Sequence, residues 1–213
     1  MGVSIFRRRR QRQPGKDLSD TDLRGADLDG AYLRQANLRG ADLRGAHLRG
    51  ADLMWADLRE ARLAGADLHR ATVSDANLAS ALLWKTDLSE ANLRCANLQS
   101  AIATNTNLTG ADLASADLRR AKLASSDLSD ADLTGANLSG AVLRDADLTG
   151  AVLRDANLSG IDRSGSSLTG TELSATDLIM RELELERLLL KLPDADLTGA
   201  IFSNTTMPDG TIR

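Results

Sequence analysis

The stretch ADLDG AYLRQ ANLRG ADLRG AHLRG, residues 26–50, decides the fold of this chain. It repeats one five-residue phrase, with Ala first, a polar residue second and Leu at the centre. The phrase continues in one register from Leu18 to Leu178, which gives 33 centres, of which 30 are Leu. The exceptions are Val73, Ala103 and Arg163. A short period held over most of a chain predicts a repeat architecture.

A period of five fits neither an α-helix, with 3.6 residues per turn, nor an unbroken strand, with two. Within each phrase, however, Ala and Leu flank an outward polar residue, which is the alternation of a strand. The other two residues turn a corner, and the second is often Gly, as at Gly30, because a type II turn needs positive φ there. Four such sides close a coil of about 20 residues, and stacked coils lie about 4.8 Å apart. The phrases therefore predict a solenoid of about eight coils with a core of stacked Leu and Ala.

The phrase Ala-(Asp/Asn)-Leu-x-x, repeated in register over about three quarters of the chain, resembles the pentapeptide-repeat family. The resemblance implies an all-β fold, a right-handed quadrilateral β-helix. The regular Ala/Leu form looks most like cyanobacterial and related bacterial members. Members that protect DNA gyrase from quinolones more often have Phe at the centre, and this difference weakens the comparison with them.

Four segments are predicted along the chain. Residues 1–16 form a basic arm that lies outside the repeat and is expected to be disordered. Residues 17–178 form the β-helix, residues 179–193 a short helix that Pro193 ends, and residues 194–213 a capping coil in a new frame. The helix and last coil are expected to close the open end of the core, and the alternative is a homodimer contact at this C-terminal end.

The basic arm is defined by a run of arginines. They are Arg7, Arg8, Arg9, Arg10 and Arg12. Such a run repels itself, so a solubilising tail is one interpretation. The other is a weak electrostatic contact with nucleic acid or anionic lipid. No aromatic residue alternates with the arginines, so the arm offers no stacking platform for single strands.

The composition of the chain indicates the cellular compartment in which it acts. The net charge of −4 is uneven, with +3 over residues 1–80 and −7 over residues 81–213. A single cysteine, Cys95, excludes an internal disulfide and favours a reducing compartment. No signal peptide is visible, and the most apolar stretch, near residues 183–192, carries charges and is too short for a transmembrane segment. These features predict a cytoplasmic protein.

Sorting the outward residues by coil reveals two unusual rows. One is the contact wall, where apolar and basic residues replace the usual Asp or Asn. It consists of Arg62, Leu82, Trp84, Ile102, Lys122 and Val142. Grouped exposed apolar side chains beside positive charge favour a protein contact, and drift of the repeat is the alternative. The other row is the acidic stripe, formed by Asp27, Asp67, Asp87, Asp127 and Asp147.

No catalytic, cofactor-binding or metal-binding constellation is recognisable in the sequence. The two histidines, His47 and His69, fall on the face of the acidic stripe and lack further ligands. We therefore expect a non-enzymatic scaffold without cofactors that presents the contact wall to an unidentified protein partner. The alternative function is a DNA-mimicking protector or inhibitor of a type II topoisomerase, DNA gyrase, acting through the acidic stripe. Arg163 in a core position is expected to bulge the backbone or to turn its side chain outward.

Overall fold

Parallel pairing of successive coils builds the molecule. The computed structural model describes residues 15–174 and 201–203. From Asp17 to Asp147, every fifth residue pairs in parallel with the residue 20 positions later, ending at Ser167. One turn of the chain therefore takes four phrases, and each phrase forms one wall. This pairing confirms the predicted β-solenoid. The basic arm, the predicted helix and most of the predicted capping coil lie outside the described residues.

The four walls are numbered here by their first central residues, which are Leu18, Leu23, Leu28 and Leu33 for walls one to four. Bridges connect the middle residues of each wall into one row. On wall two the row passes from Arg62 through Leu82, Ile102 and Lys122 to Val142. On wall three it connects the acidic stripe through His47 and Asn107. Both rows thus have the vertical order that the 20-residue period predicts.

In the inner coils, each phrase satisfies four of its five N–H groups with backbone carbonyls. The middle, central and second corner residues bond to neighbouring coils, and the first residue closes the turn on the preceding centre. In the phrase of residues 36–40 these four bonds measure 2.7–3.1 Å. The first corner residue is different, because in most phrases a side chain takes up its N–H group. Since unmet buried backbone groups are costly, this regular pairing holds the coils in register.

The second corner residue adopts a positive φ whether or not it is Gly. The angle is 66° at Gly40, 57° at Gln35 and 59° at Trp55. The N–H group of the following residue donates to the carbonyl of the preceding centre, as from Ala36 to Leu33 over 3.1 Å. Sequence reasoning connected this conformation with Gly. The turn imposes it on other residues as well, at a steric cost that Gly avoids.

The core is a stack of aliphatic side chains with one main polar interruption, and Ser74 and Thr171 are buried singly elsewhere. The Leu centres from Leu28 to Leu153 and the Ala residues beside them are buried. The interruption is a column of buried hydroxyls at the Ala position of wall three. Thr86 donates to the Leu63 carbonyl over 2.9 Å, and Thr106 and Ser126 bond to the coil below in the same way. Because each hydroxyl has an acceptor, the column avoids the penalty for an unpaired buried polar group.

Arg163 does not break the coil. The bridges Val142↔Asp162 and Asp147↔Ser167 keep the 20-residue register on both sides of it, so the expected backbone bulge was wrong. Arg163 itself is half-buried rather than fully buried. The continuous backbone pairing explains why one charged centre is tolerated near this end.

Beyond the regular coils, two short strands pair in parallel. Strand β1, Glu172–Ser174, pairs with strand β2, Ile201–Ser203, and Glu172 lies opposite Ile201. The offset is therefore 29 positions, nine more than one coil. In the described part of the chain, no helix is long and apolar enough to cross a membrane.

Candidate protein-contact wall

The middle Asp or Asn of each phrase caps its own corner. Its Oδ1 atom accepts the N–H group two residues later, the one that lacks a backbone acceptor. Examples are Asp57 with the Arg59 N–H at 3.1 Å and Asn97 with the Gln99 N–H at 3.0 Å. Short polar side chains commonly bond to the backbone in this way, as Asx-turns. The outward Asp and Asn rows are therefore parts of the fold as well as surface.

Capping is complete on wall one, where all eight middle residues are Asp or Asn and each caps its corner. Walls three and four lose caps only in single coils. At His47 on wall three, the N–H group of Arg49 donates instead to Asp29 of the coil below, over 2.9 Å. On wall four the replaced positions are Tyr32, Thr72 and Val152, and capped coils separate them.

Wall two loses the cap in five consecutive coils, at Arg62, Leu82, Ile102, Lys122 and Val142. The N–H groups left behind belong to Ala64, Trp84, Thr104, Ala124 and Arg144. Within residues 15–174, none of these five N–H groups has a hydrogen-bond acceptor. The uncapped run ends at a capped coil on each side, at Asp42 below and at Asp162 above. The contact wall predicted from sequence is thus also a gap in the capping system.

The contact wall is accessible and carries unbalanced positive charge. Leu82 is 37% exposed and Trp84 50% exposed, while Ile102 and Val142 are half-buried. Lys85 places its Nζ atom 4.7 Å from the centre of the Trp84 ring. Among the described residues, Arg62, Lys85 and Lys122 form no salt bridge, although the hydrogen bond from Arg44 lowers the pKa of Asp42 and the charge of Arg62 adds to this effect. The neighbouring arginines differ, since Arg44 is paired with Asp42 and Arg144 with Asp162 at 2.6 and 2.7 Å.

The carboxylates of the acidic stripe are largely engaged within the fold. Asp67 is ion-paired with Arg49, and Asp87 accepts the N–H and hydroxyl of Ser89 together with the Asn107 amide. Burial acts to raise the pKa of Asp67, but the hydrogen bond from Arg49 and the backbone bond from His69 outweigh it and lower the pKa.

Farther up the stripe, Asp127 caps Ser129 and Asp147 caps Thr149. At Asp127, burial acts to raise the pKa of the carboxyl, but the hydrogen bonds from Ser129 outweigh it and lower the pKa. Both carboxylates are exposed. The stripe is therefore a charged surface whose members also stabilise their own corners.

A second exposed aromatic group was missed by sequence reasoning. At the corner between walls four and one, the Arg34 guanidinium lies 4.8 Å from the centre of the Trp55 ring and 3.3 Å from Asp52. Tyr32 and Trp55 are 38% and 50% exposed. The sequence could have shown this group, because Tyr32 and Asp52 are 20 positions apart and Arg34 and Trp55 are 21 positions apart, which places them in neighbouring coils. Arg34 is held there by charged and aromatic neighbours, so the group has a structural explanation.

The remaining reactive side chains are dispersed. Cys95 is exposed at a corner, and His69 Nδ1 lies 2.9 Å from the Ser89 hydroxyl. Within residues 15–174 and 201–203, no three His, Cys, Asp or Glu side chains are grouped so that they could hold a metal ion.

Eight copies of the family model described as pentapeptide repeats match the chain between residues 17 and 179. Comparison with curated proteins gave no match. Among solved structures, HetL, a pentapeptide-repeat protein involved in heterocyst differentiation regulation in the cyanobacterium Nostoc sp. strain PCC 7120, is 33% identical. That alignment covers 92% of this chain and 89% of HetL, with a TM-score of 0.43.

Two further solved structures are less similar in sequence to this chain. QnrB1, a plasmid-mediated fluoroquinolone resistance protein, is 23% identical, with 84% of this chain and 90% of QnrB1 covered and a TM-score of 0.49. A pentapeptide-repeat protein from the thylakoid lumen of Arabidopsis thaliana is also 23% identical, with 89% and 85% covered and a TM-score of 0.25.

Proposed function

Because the chain belongs to the pentapeptide-repeat family, whose right-handed β-helices generally serve as non-enzymatic scaffolds, we propose that it presents the contact wall to a protein partner. In this proposal the rod is a quadrilateral β-helix of about eight coils, closed at its end by the helix and capping coil. It acts in the cytoplasm and catalyses no reaction. Its rigidity holds the wall residues in a fixed row.

The observation that carries this proposal is the run of five uncapped corners. A hydrogen bond of this kind contributes about 0.5–1.5 kcal/mol, and the strand preference of Leu, Ile and Val offsets only part of its loss. Random drift would scatter such losses over the four walls. Instead, walls one, three and four never lose the cap in two successive coils between residues 17 and 157. A concentrated loss is the pattern expected when the surface serves a partner.

The alternative is the DNA-mimicking inhibitor of gyrase. The observation in its favour is that bridges place Asp67 beside Asp87 and Asp127 beside Asp147 on one wall. Against it, His47 and Asn107 interrupt the row, and Arg49 neutralises Asp67. The capping bonds also give these carboxylates a structural reason to be present. The contact wall lacks such a reason, and we therefore prefer it.

Two matched variants separate these functions. One replaces Leu82 and Ile102 with Asp, and the other replaces Asp127 and Asp147 with Asn, which still caps a corner. Captured proteins from the source cells would be compared for wild type and both variants, together with gyrase supercoiling in the presence of a quinolone. We expect the wall variant to lose a partner that the stripe variant retains. Loss of gyrase protection in the stripe variant alone would support the alternative and refute the proposal.

A further inference from the structure

We propose that the segment of the partner that occupies the contact wall is an acidic amphipathic helix, whose carboxylates take up the uncapped N–H groups of wall two. This inference rests on the proposed function and adds the chemistry of the partner. Three properties of the wall lead to it: unsatisfied donors, unpaired cations and a backbone that is already fully paired along its sides.

The donors are directed at the outside of the wall. At a capped corner, the same N–H group lies within 3.4 Å of an outward-facing carboxylate or amide oxygen. Where Leu82 or Ile102 replaces that residue, the oxygen is missing and the donor keeps its direction. Since coils stack about 4.8 Å apart, the five uncapped donors extend over about 19 Å. A partner carboxylate supplied from outside restores the bond that the chain itself lacks.

The charges favour an acidic partner over a second copy of this chain. Arg62, Lys85 and Lys122 surround Leu82, Ile102 and Trp84. None of the three forms a salt bridge among the described residues, and Asp42, which the charge of Arg62 reaches, is already paired with Arg44. If two copies met through this wall, three cations would face three cations, and like charges across an interface cost several kcal/mol. Carboxylates flanking apolar side chains provide the complementary surface.

The backbone favours a helix over an extended segment. The middle and central residues of the contact wall already pair with coils above and below, so an added strand finds no edge along the wall. A helix satisfies its own backbone and binds through side chains alone. Its pitch of about 5.4 Å matches the coil spacing of about 4.8 Å when its axis is inclined by about 27°. Alternate strand residues, about 6.6 Å apart, would match only at a steeper inclination of about 43°.

Tryptophan fluorescence gives a direct test. The chain has two tryptophans, and Trp55 lies at the corner opposite Trp84, so Trp55→Phe leaves a single reporter on the contact wall. The probe is a synthetic peptide of about 15 residues with Leu along one helical face and Glu on both sides of it. We expect a saturable change in Trp84 emission that weakens with salt, because exposed charges contribute to binding.

Matched variants test the site. Ile102→Asn supplies a capping oxygen and removes the apolar side chain, so it should weaken peptide binding about tenfold or more, equivalent to about 1.4 kcal/mol. Ile102→Val should retain binding. Val152→Asn makes the same kind of change on wall four and should leave the affinity unchanged. Equal losses in Ile102→Asn and Val152→Asn would overturn the assignment of the site.

Matched peptides test the occupant. A version with Lys in place of Glu should not bind, and a version with a central Pro, which breaks the helix, should bind much more weakly. Equal binding of either version, or no Trp84 response to the acidic peptide, overturns the inference. The proposed function is judged separately by the cellular capture. If the wall variant loses a partner although the peptide fails to bind, the function stands and the helical partner is rejected.

Discussion

Removing one cap should destabilise the rod by a measurable amount. Asp117 accepts the Arg119 N–H at 3.1 Å and its guanidinium at 2.6–3.0 Å. Substitution with Ala removes a capping hydrogen bond worth about 0.5–1.5 kcal/mol. It also removes an ion pair whose side chains are 29% and 46% exposed, which contributes about 0–1 kcal/mol. We expect Asp117→Ala to lower the free energy of unfolding by about 1–2 kcal/mol.

The Asn variant separates the two contributions. In the same row, Asn97 and Asn137 cap their corners at 3.0 and 3.1 Å, so Asp117→Asn should retain the cap and lose only the ion pair. We expect a cost of about 0–1 kcal/mol, smaller than that of Asp117→Ala. Urea denaturation followed by circular dichroism measures both variants. If Asp117→Asn were as unstable as Asp117→Ala, the ion pair rather than the cap would stabilise the corner, and the interpretation of the contact wall as a capping gap would fail.

Three further outcomes are expected. The hydrogen bonds from Arg24 lower the pKa of Asp22 to about 2. The ionised Asp22 therefore stabilises the fold above pH 4, and this contribution is lost as the pH falls towards 2. Asp22→Asn should flatten this part of a profile of melting temperature against pH. Gly45 has a φ of 65° with open space around it. Gly45→Ala should therefore lower the free energy of unfolding by about 1 kcal/mol, and Gly45→Asn by less, because Asn tolerates this conformation. Equal losses in thermal unfolding would contradict the conformational argument. Deletion of residues 1–14 should leave the melting temperature unchanged. Any nucleic-acid binding by the basic arm should weaken steeply with salt and disappear with the deletion. Binding that survives the deletion would show that the arm is not the binding site.

The period alone was sufficient to predict the coil, its aliphatic core and the vertical order of the outward rows. The same 20-residue period placed Leu82, Ile102 and Val142 in one row. Backbone pairing depends on register, and the register of a repeat can be read directly from its sequence. The functions of the contact wall, acidic stripe and basic arm remain predictions.

The capping bonds were missed because the middle Asp and Asn were interpreted only as outward polar residues. Their short side chains also reach back to their own corner, a local effect that hydrophobic periodicity does not detect. The backbone bulge, one of the two outcomes expected at Arg163, was wrong for a related reason. The cost of Arg163 as a core residue was considered without the backbone pairing on both sides, which holds the register at Asp162 and Ser167.

The offset between the two strands near the C-terminus has a consequence for how such a rod can change in length. Leu173 and Phe202 are register partners although 29 positions separate them, so the nine extra residues leave the chain on the same wall. An insertion that returns to its starting wall preserves every row below and above it. A duplication or deletion of 20 residues does the same, whereas a gain or loss of five rotates the remainder of the rod by one wall. In a gene of this kind, a single-phrase deletion between Leu82 and Ile102 would divide the contact wall between two sides of the molecule while leaving the core composition almost unchanged.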